Sequence, residues 1–310
     1  MMLLGSTPID DFLASADATS TAERVQRFGV VVGVVGVVLA VGVGVFLVTV
    51  WRPVVGGERR LVVTCLVGGA LAAAGGVVEA LAVASIRSIS FTDVVGGEGG
   101  TAAMLRIVGG TLIALGLVEG LLTRAVVDTA ERWRLPATAV FALAGMVVAV
   151  LSFGFDGHTV SEGPRALHAV ADAVHVTAGA VWAGGIVAIA LLAVRRHPGD
   201  GVGVWWTLLH GFSAVATVAL VAVTVAGVAM ALFVLDDAGQ LTGTPWGRLL
   251  LVKVAVVGVA AAFGAYQRFR VIPRLGGDTP NGLARVVVGE AVVLIAVVVL
   301  TGFLTTASTL

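Results

Sequence analysis

Eight apolar stretches divide this chain, over residues 28–50, 61–84, 102–122, 136–155, 168–194, 205–235, 247–266 and 286–304. Each approaches or exceeds the ~20 residues that a helix needs to cross the hydrocarbon core of a bilayer. Polar residues collect in the short connections between them. The pattern predicts an all-α integral membrane protein, a bundle of eight transmembrane helices. The fifth and sixth stretches are longer than the bilayer requires, so tilting or extension beyond it is expected. Gly29 and Gly33 stand at GxxxG spacing, which lets two helix backbones approach closely. Residues 1–27 carry Asp10, Asp11, Asp17 and Glu23 and lack a charged region ahead of an apolar one, so a retained polar extension is expected in place of a cleaved signal. The chain then divides into this extension (1–27), an N-terminal four-helix half (28–155) and a C-terminal four-helix half (156–310).

Composition agrees with the pattern. Apolar residues make up 58% of the 310 before the 42 glycines are counted, and 19 basic residues balance 19 acidic ones. Average soluble proteins reach only roughly 45–50% apolar with glycine included, so a cytosolic enzyme is excluded. No basic face is available for a nucleic acid, and no phosphate-cradling loop for a nucleotide. The single cysteine, Cys65, excludes a disulfide framework and a CxxC metal site. Twelve Arg fall in the connections after helices one, three, five and seven, against five on the opposite side: Arg24, Arg27, Arg87, Arg165 and Arg248. The positive-inside rule therefore puts both termini outside the cytoplasm, in a multi-pass protein of the cytoplasmic membrane. Asp156 and Glu162 then lie on an acidic outer face suited to capturing a cation.

Ionisable groups inside spanning helices are costly and raise a functional question by default. Here they are Glu79, Arg106, Glu119, Asp172, His175, Lys253 and Glu290. Glu79 and Arg106 are placed to pair between antiparallel neighbours. Lys253 either snorkels outward or meets an acid. Glu119 and Glu290, toward the cytoplasmic ends, are candidates for proton coupling. His197 belongs to a solvated turn, and His210 to the interface or to packing.

One helix is more informative. His168, Asp172, His175, Gly179 and Trp182 are spaced 0, 4, 7, 11, 14, which is one face of a 3.6-residue helix. At 1.5 Å per residue, His175 lies about 10 Å below His168. A polar stripe thus descends from the outer surface to an aromatic stop. An imidazole with an acid one turn away resembles a metal ligand whose tautomer a carboxylate fixes; a buried, purely structural His–Asp pair has the same spacing. Imidazole suits copper and zinc, and thioethers select Cu(I). With His158, His168 and His175, the methionines Met104, Met146 and Met230 make a candidate copper route, with Cys65 as a weaker exit ligand.

These residues fall in runs that resemble a known family. Asp172-Ala-Val-His175 followed by Val181-Trp182-Ala-Gly184-Gly185 resembles the signature of the CopD copper-resistance family. Gly157-His158, Gly211-Phe212-Ser213, Thr224, Gly227, Pro273-Arg274-Leu275 and Glu290 follow the family's order. Thr244-Pro245-Trp246-Gly247-Arg248-Leu249-Leu250-Leu251-Val252-Lys253 is similar to its TPYGRxLLxK segment, with Trp246 where tyrosine is common. The likeness covers residues 157–305, about half the chain. It implies an eight-helix inner-membrane protein that moves copper ions toward the cytoplasm and receives them from a separate CopC-like copper-binding partner, since no such domain is present here.

Copper uptake across the membrane is therefore the leading expectation, with no catalytic activity. Two alternatives stand beside it: a haem-binding electron-transfer protein, which needs histidines on different helices at one depth, and a factor that delivers copper for oxidase assembly without translocating it.

Overall fold

The computed structural model describes residues 8–52, 55–124, 137–155, 165–194, 202–235, 237–274 and 283–304, and among them all regular structure is helical. The long helices are α1 (Pro8–Thr49), α2 (Glu58–Arg87), α4 (Thr101–Arg124), α6 (Arg165–Ala193), α7 (Val202–Val234), α9 (Pro245–Tyr266) and α10 (Leu283–Leu304). Shorter ones are α3 (Phe91–Gly96), α5 (Ala139–Leu151) and α8 (Gln240–Gly243). Among the described residues, seven helices are long and apolar enough to cross a membrane. Of the eight expected spans, the fourth falls short of that length. The stretch expected over 136–155 forms a shorter apolar segment, Ala139–Phe155, in which α5 tightens into a 3-10 turn at Ser152–Phe155. At α and 3-10 rises its length is about 27 Å, just under the hydrocarbon thickness.

The surface confirms what solvent these helices are built for. Val218, Leu232 and Phe269 each leave 71% of their area uncovered. Rows of such side chains along α7 and α9 are costly in water and cost nothing among lipid tails. The chain is a multi-pass membrane protein.

Helix α1 is the centre of the bundle, packing on α2, α6 and α10. Small residues make this possible. A Cβ on Gly36 would stand 2.3 Å from the Ala72 nitrogen of α2, and one on Gly42 would stand 1.9 Å from the Ala180 oxygen of α6. A Cβ on Gly29 would stand 2.7 Å from the Glu79 nitrogen of α2, and one on Gly33 would stand 3.2 Å from the Arg106 side chain of α4. From α2 the chain continues through α4 to α5, each packed on the one before. Between α2 and α4, Arg106 Nη1 donates to Glu79 Oε2 at 2.5 Å, with Arg106 wholly buried and the Phe153 ring 5.3 Å from its guanidinium. The pair expected from the sequence is therefore formed. In the second half, α6 carries α7 on one side and α10 on another, and α9 leans on α10. Helix α7 thus rests mainly on α6, and a wedge of space opens between α7 and α9.

Candidate functional site

That wedge is a cleft of about 370 Å³, bounded by α1, α6, α7, α9 and α10. It is lined mostly by valine, leucine and alanine, so the few polar groups in it stand out. His168, Asp172, His175, Gly179 and Trp182 all line it, so the stripe predicted on α6 faces one space. Opposite runs a second stripe at the same spacing: Trp246, Leu250, Lys253 and Val257 of α9.

The start of α9 explains that placement. Thr244 caps the helix by accepting from the Gly247 N–H at 3.0 Å, and Pro245 occupies the first turn, where its missing N–H is not needed. A close contact fixes the angle: a Cβ on Gly247 would stand 2.1 Å from the Gln240 oxygen of α8. Trp246 is thereby buried against the cleft, and Lys253 follows it two turns on.

His175 is held from α7. Its Nδ1 lies 2.9 Å from the Val223 carbonyl oxygen. A carbonyl can only accept, so Nδ1 carries the proton and the neutral ring keeps its lone pair on Nε2, free for a ligand. The orienting acceptor for His175 is thus a backbone carbonyl, the role that the sequence assigned to Asp172. Asp172 is instead near enough to Lys253 for their charges to interact. The carboxylate offsets the charge of Lys253, which otherwise repels a metal cation.

Gly227 completes the seat, and sequence reasoning gave it no role beyond the family likeness. A Cβ there would stand 3.0 Å from His175 Cε1 and 3.1 Å from Nδ1. Gly227→Ala is therefore expected to push the ring off Val223 and weaken metal binding by about tenfold, the low end of what losing an outer partner of a ligand costs. Titrating Cu(I) against a chelating competitor checks this, and an unchanged affinity refutes the seat.

The remaining candidates divide. Met230 lines the cleft. His168 is buried in the lining of the cleft, its ring centroid 5.6 Å from that of Phe233. Met146 lies elsewhere: its methyl fills the gap left by Gly44, on the far side of α1, and Cys65 lines the same gap. Glu119 is exposed on α4, and His210 stacks on Trp206 at 4.9 Å, exposed on α7. Glu290 is fully buried just past Trp182. Asp156, His158 and Glu162 lie outside the described residues. Among the described residues no three His, Cys, Asp or Glu side chains converge as a ready-made metal centre.

Comparison with known proteins places these features. No solved structure matches the chain. It is 26% identical over 133 residues to the copper transport protein CutJ of Bacillus subtilis (strain 168), a match that covers 43% of this chain. The chain spans about a quarter of the length of that curated relative, the matched part being 24% of it. Residues 206–304, which include α9, α10 and most of α7 with Gly227, Lys253 and Glu290, match the family of copper resistance protein D.

Proposed function

We propose that this protein carries copper ions across the cytoplasmic membrane, taking them up at the mouth of the cleft on the outer face. The observation that carries the reading is His175: an imidazole with Nε2 free, seated by Val223 and Gly227, about two turns below a second histidine and inside the bundle. The likeness to copper resistance protein D and to a copper transport protein supplies the cargo. Counting Ala139–Phe155 as a span brings the total to eight and puts both termini on one side, which the arginine bias makes the outer one.

On this reading Asp156, Glu162 and His158 gather the ion on the outer face and His168 hands it to His175. Asp172 neutralises Lys253 along the way, and Met230, which lines the same cleft, offers a thioether, a donor suited to Cu(I). The absence of a closed three-ligand centre among the described residues fits transit, which requires that each site release its ion. A separate CopC-like chain is the proposed donor. The haem alternative is not favoured, because both histidines of the cleft sit on α6, about 10 Å apart along one helix.

The test is copper accumulation inside proteoliposomes. Vesicles with the protein are expected to fill several-fold faster than empty ones. If the purified protein binds copper and the lumen stays empty, the protein delivers copper without translocating it.

A further inference from the structure

The floor of the cleft is Trp182, and on its other side lies a second polar group that the copper route does not use. Glu290 of α10 is wholly buried. The Gln267 amide donates to its Oε2, and the Trp182 indole N–H reaches toward the same carboxyl group. Oε1 has no hydrogen-bond partner of ordinary geometry, and it faces Gly264, where a Cβ would stand 3.4 Å away. Gln267 opens a π-helical turn, Gln267–Val271, at the end of α9. Such turns are rare and concentrate at functional sites. Three elements thus converge on one carboxyl group and leave one of its oxygens vacant.

The charged groups on the elements packed against α10 are engaged elsewhere. Lys253 points into the cleft near Asp172, and Arg268 donates to Ser213 and Thr217 of α7. Arg248, Arg270, Arg274 and Tyr266 are exposed, as is Arg285 on α10 itself. On α6, His168, Asp172 and His175 line the cleft above Trp182, and α1 offers no titratable side chain over residues 28–50. A metal ion needs several donors, and a single carboxylate oxygen beside a glycine supplies one. A proton needs only that one.

We infer that Glu290 is a proton-binding site that couples proton movement to passage of the cargo past Trp182, a reading that rests on the cleft being a copper route. Unprotonated, the carboxylate accepts from both the amide and the indole and holds Trp182 as the floor. A proton on Oε1 removes the negative charge, weakens the hold on the indole and lets the ring move. Loss of that proton toward the other side restores the floor.

Two measurements on the full-length protein test this. Infrared difference spectra between neutral and acidic buffer are expected to show a carboxylic-acid C=O band that Glu290→Gln removes and Trp182→Phe, which lacks the indole N–H, displaces. In proteoliposomes an imposed pH gradient is expected to change Cu(I) flux about tenfold in the wild type, within the usual range of coupling between sites, and less than about twofold in Glu290→Gln. A band unchanged in Glu290→Gln overturns the proton site. A band that is lost while flux responds to the gradient as before overturns the coupling. If the wild type moves no copper, the proposed function fails, while the infrared band still decides whether Glu290 takes up a proton.

Discussion

His175→Ala is expected to lower copper affinity by at least about 100-fold, beyond the 10–100-fold typical of losing an outer partner of a ligand. Nε2 of this ring is the free imidazole nitrogen that the cleft holds in a fixed direction, because Nδ1 is tied to Val223 and Gly227 leaves room for the ring. His175→Gln separates coordination from packing. Its amide can still donate to the Val223 carbonyl and fill the space, but it presents no imidazole nitrogen, so it should bind as poorly as the alanine variant. Metal content of the three purified proteins after copper loading gives the answer. Equal copper in all three places the site elsewhere in the chain and removes the stated route through α6.

A comparable loss, this time of stability, is expected from Arg106→Ala. Arg106 is fully buried between α2 and α4, bonded to Glu79 and resting on Phe153. Removing one partner leaves the other charge buried and alone, which costs about 3–5 kcal/mol. The reverse sequence of changes separates the pair from the charge: Glu79→Leu combined with Arg106→Met should recover most of the loss, since apolar residues of similar volume often replace a buried pair without penalty. Denaturant titration in detergent, followed by tryptophan fluorescence, measures both. If the double variant is as unstable as the single one, the loss comes from the ion pair and the packing of Arg106 on Phe153, not from a stranded charge. The pair then has a different standing from the cleft residues: it fastens the N-terminal helices against which α1 is set, and α1 in turn supports α6.

The polar stripe on α6 was legible because a helix has a fixed period, so spacing alone puts His168, Asp172, His175, Gly179 and Trp182 on one face. The pairing of Glu79 with Arg106 was legible for a related reason, since short connections make consecutive helices antiparallel neighbours and set residues near the shared end at one depth. Length and apolarity were enough to place the spans, save for the fourth. There the apolar run begins at Pro136 but the helix begins only at Ala139, and hydropathy does not mark where an apolar run takes up helical backbone.

Spacing within a helix says nothing about how that helix is rotated against the next. Met146 and Met230 read alike in the sequence, yet one fills the gap at Gly44 and the other faces the cleft. The acceptor for His175 is a main-chain oxygen, which every residue possesses and no motif marks. The role of Gly227 is an absence of atoms, visible only once a ring from another helix occupies the space. Glu290 stood out as a buried acid, but its partners, Gln267 and Trp182, come from a π-turn 23 residues before it and a helix more than a hundred residues before it. The sequence by itself determined that the chain forms membrane-spanning helices and which face of α6 is polar, because those follow from local period and solvent preference. Which donors share one space, and which atom of each is left free, was decided by the close approach of small residues between helices distant in the chain, and only the tertiary structure sets that.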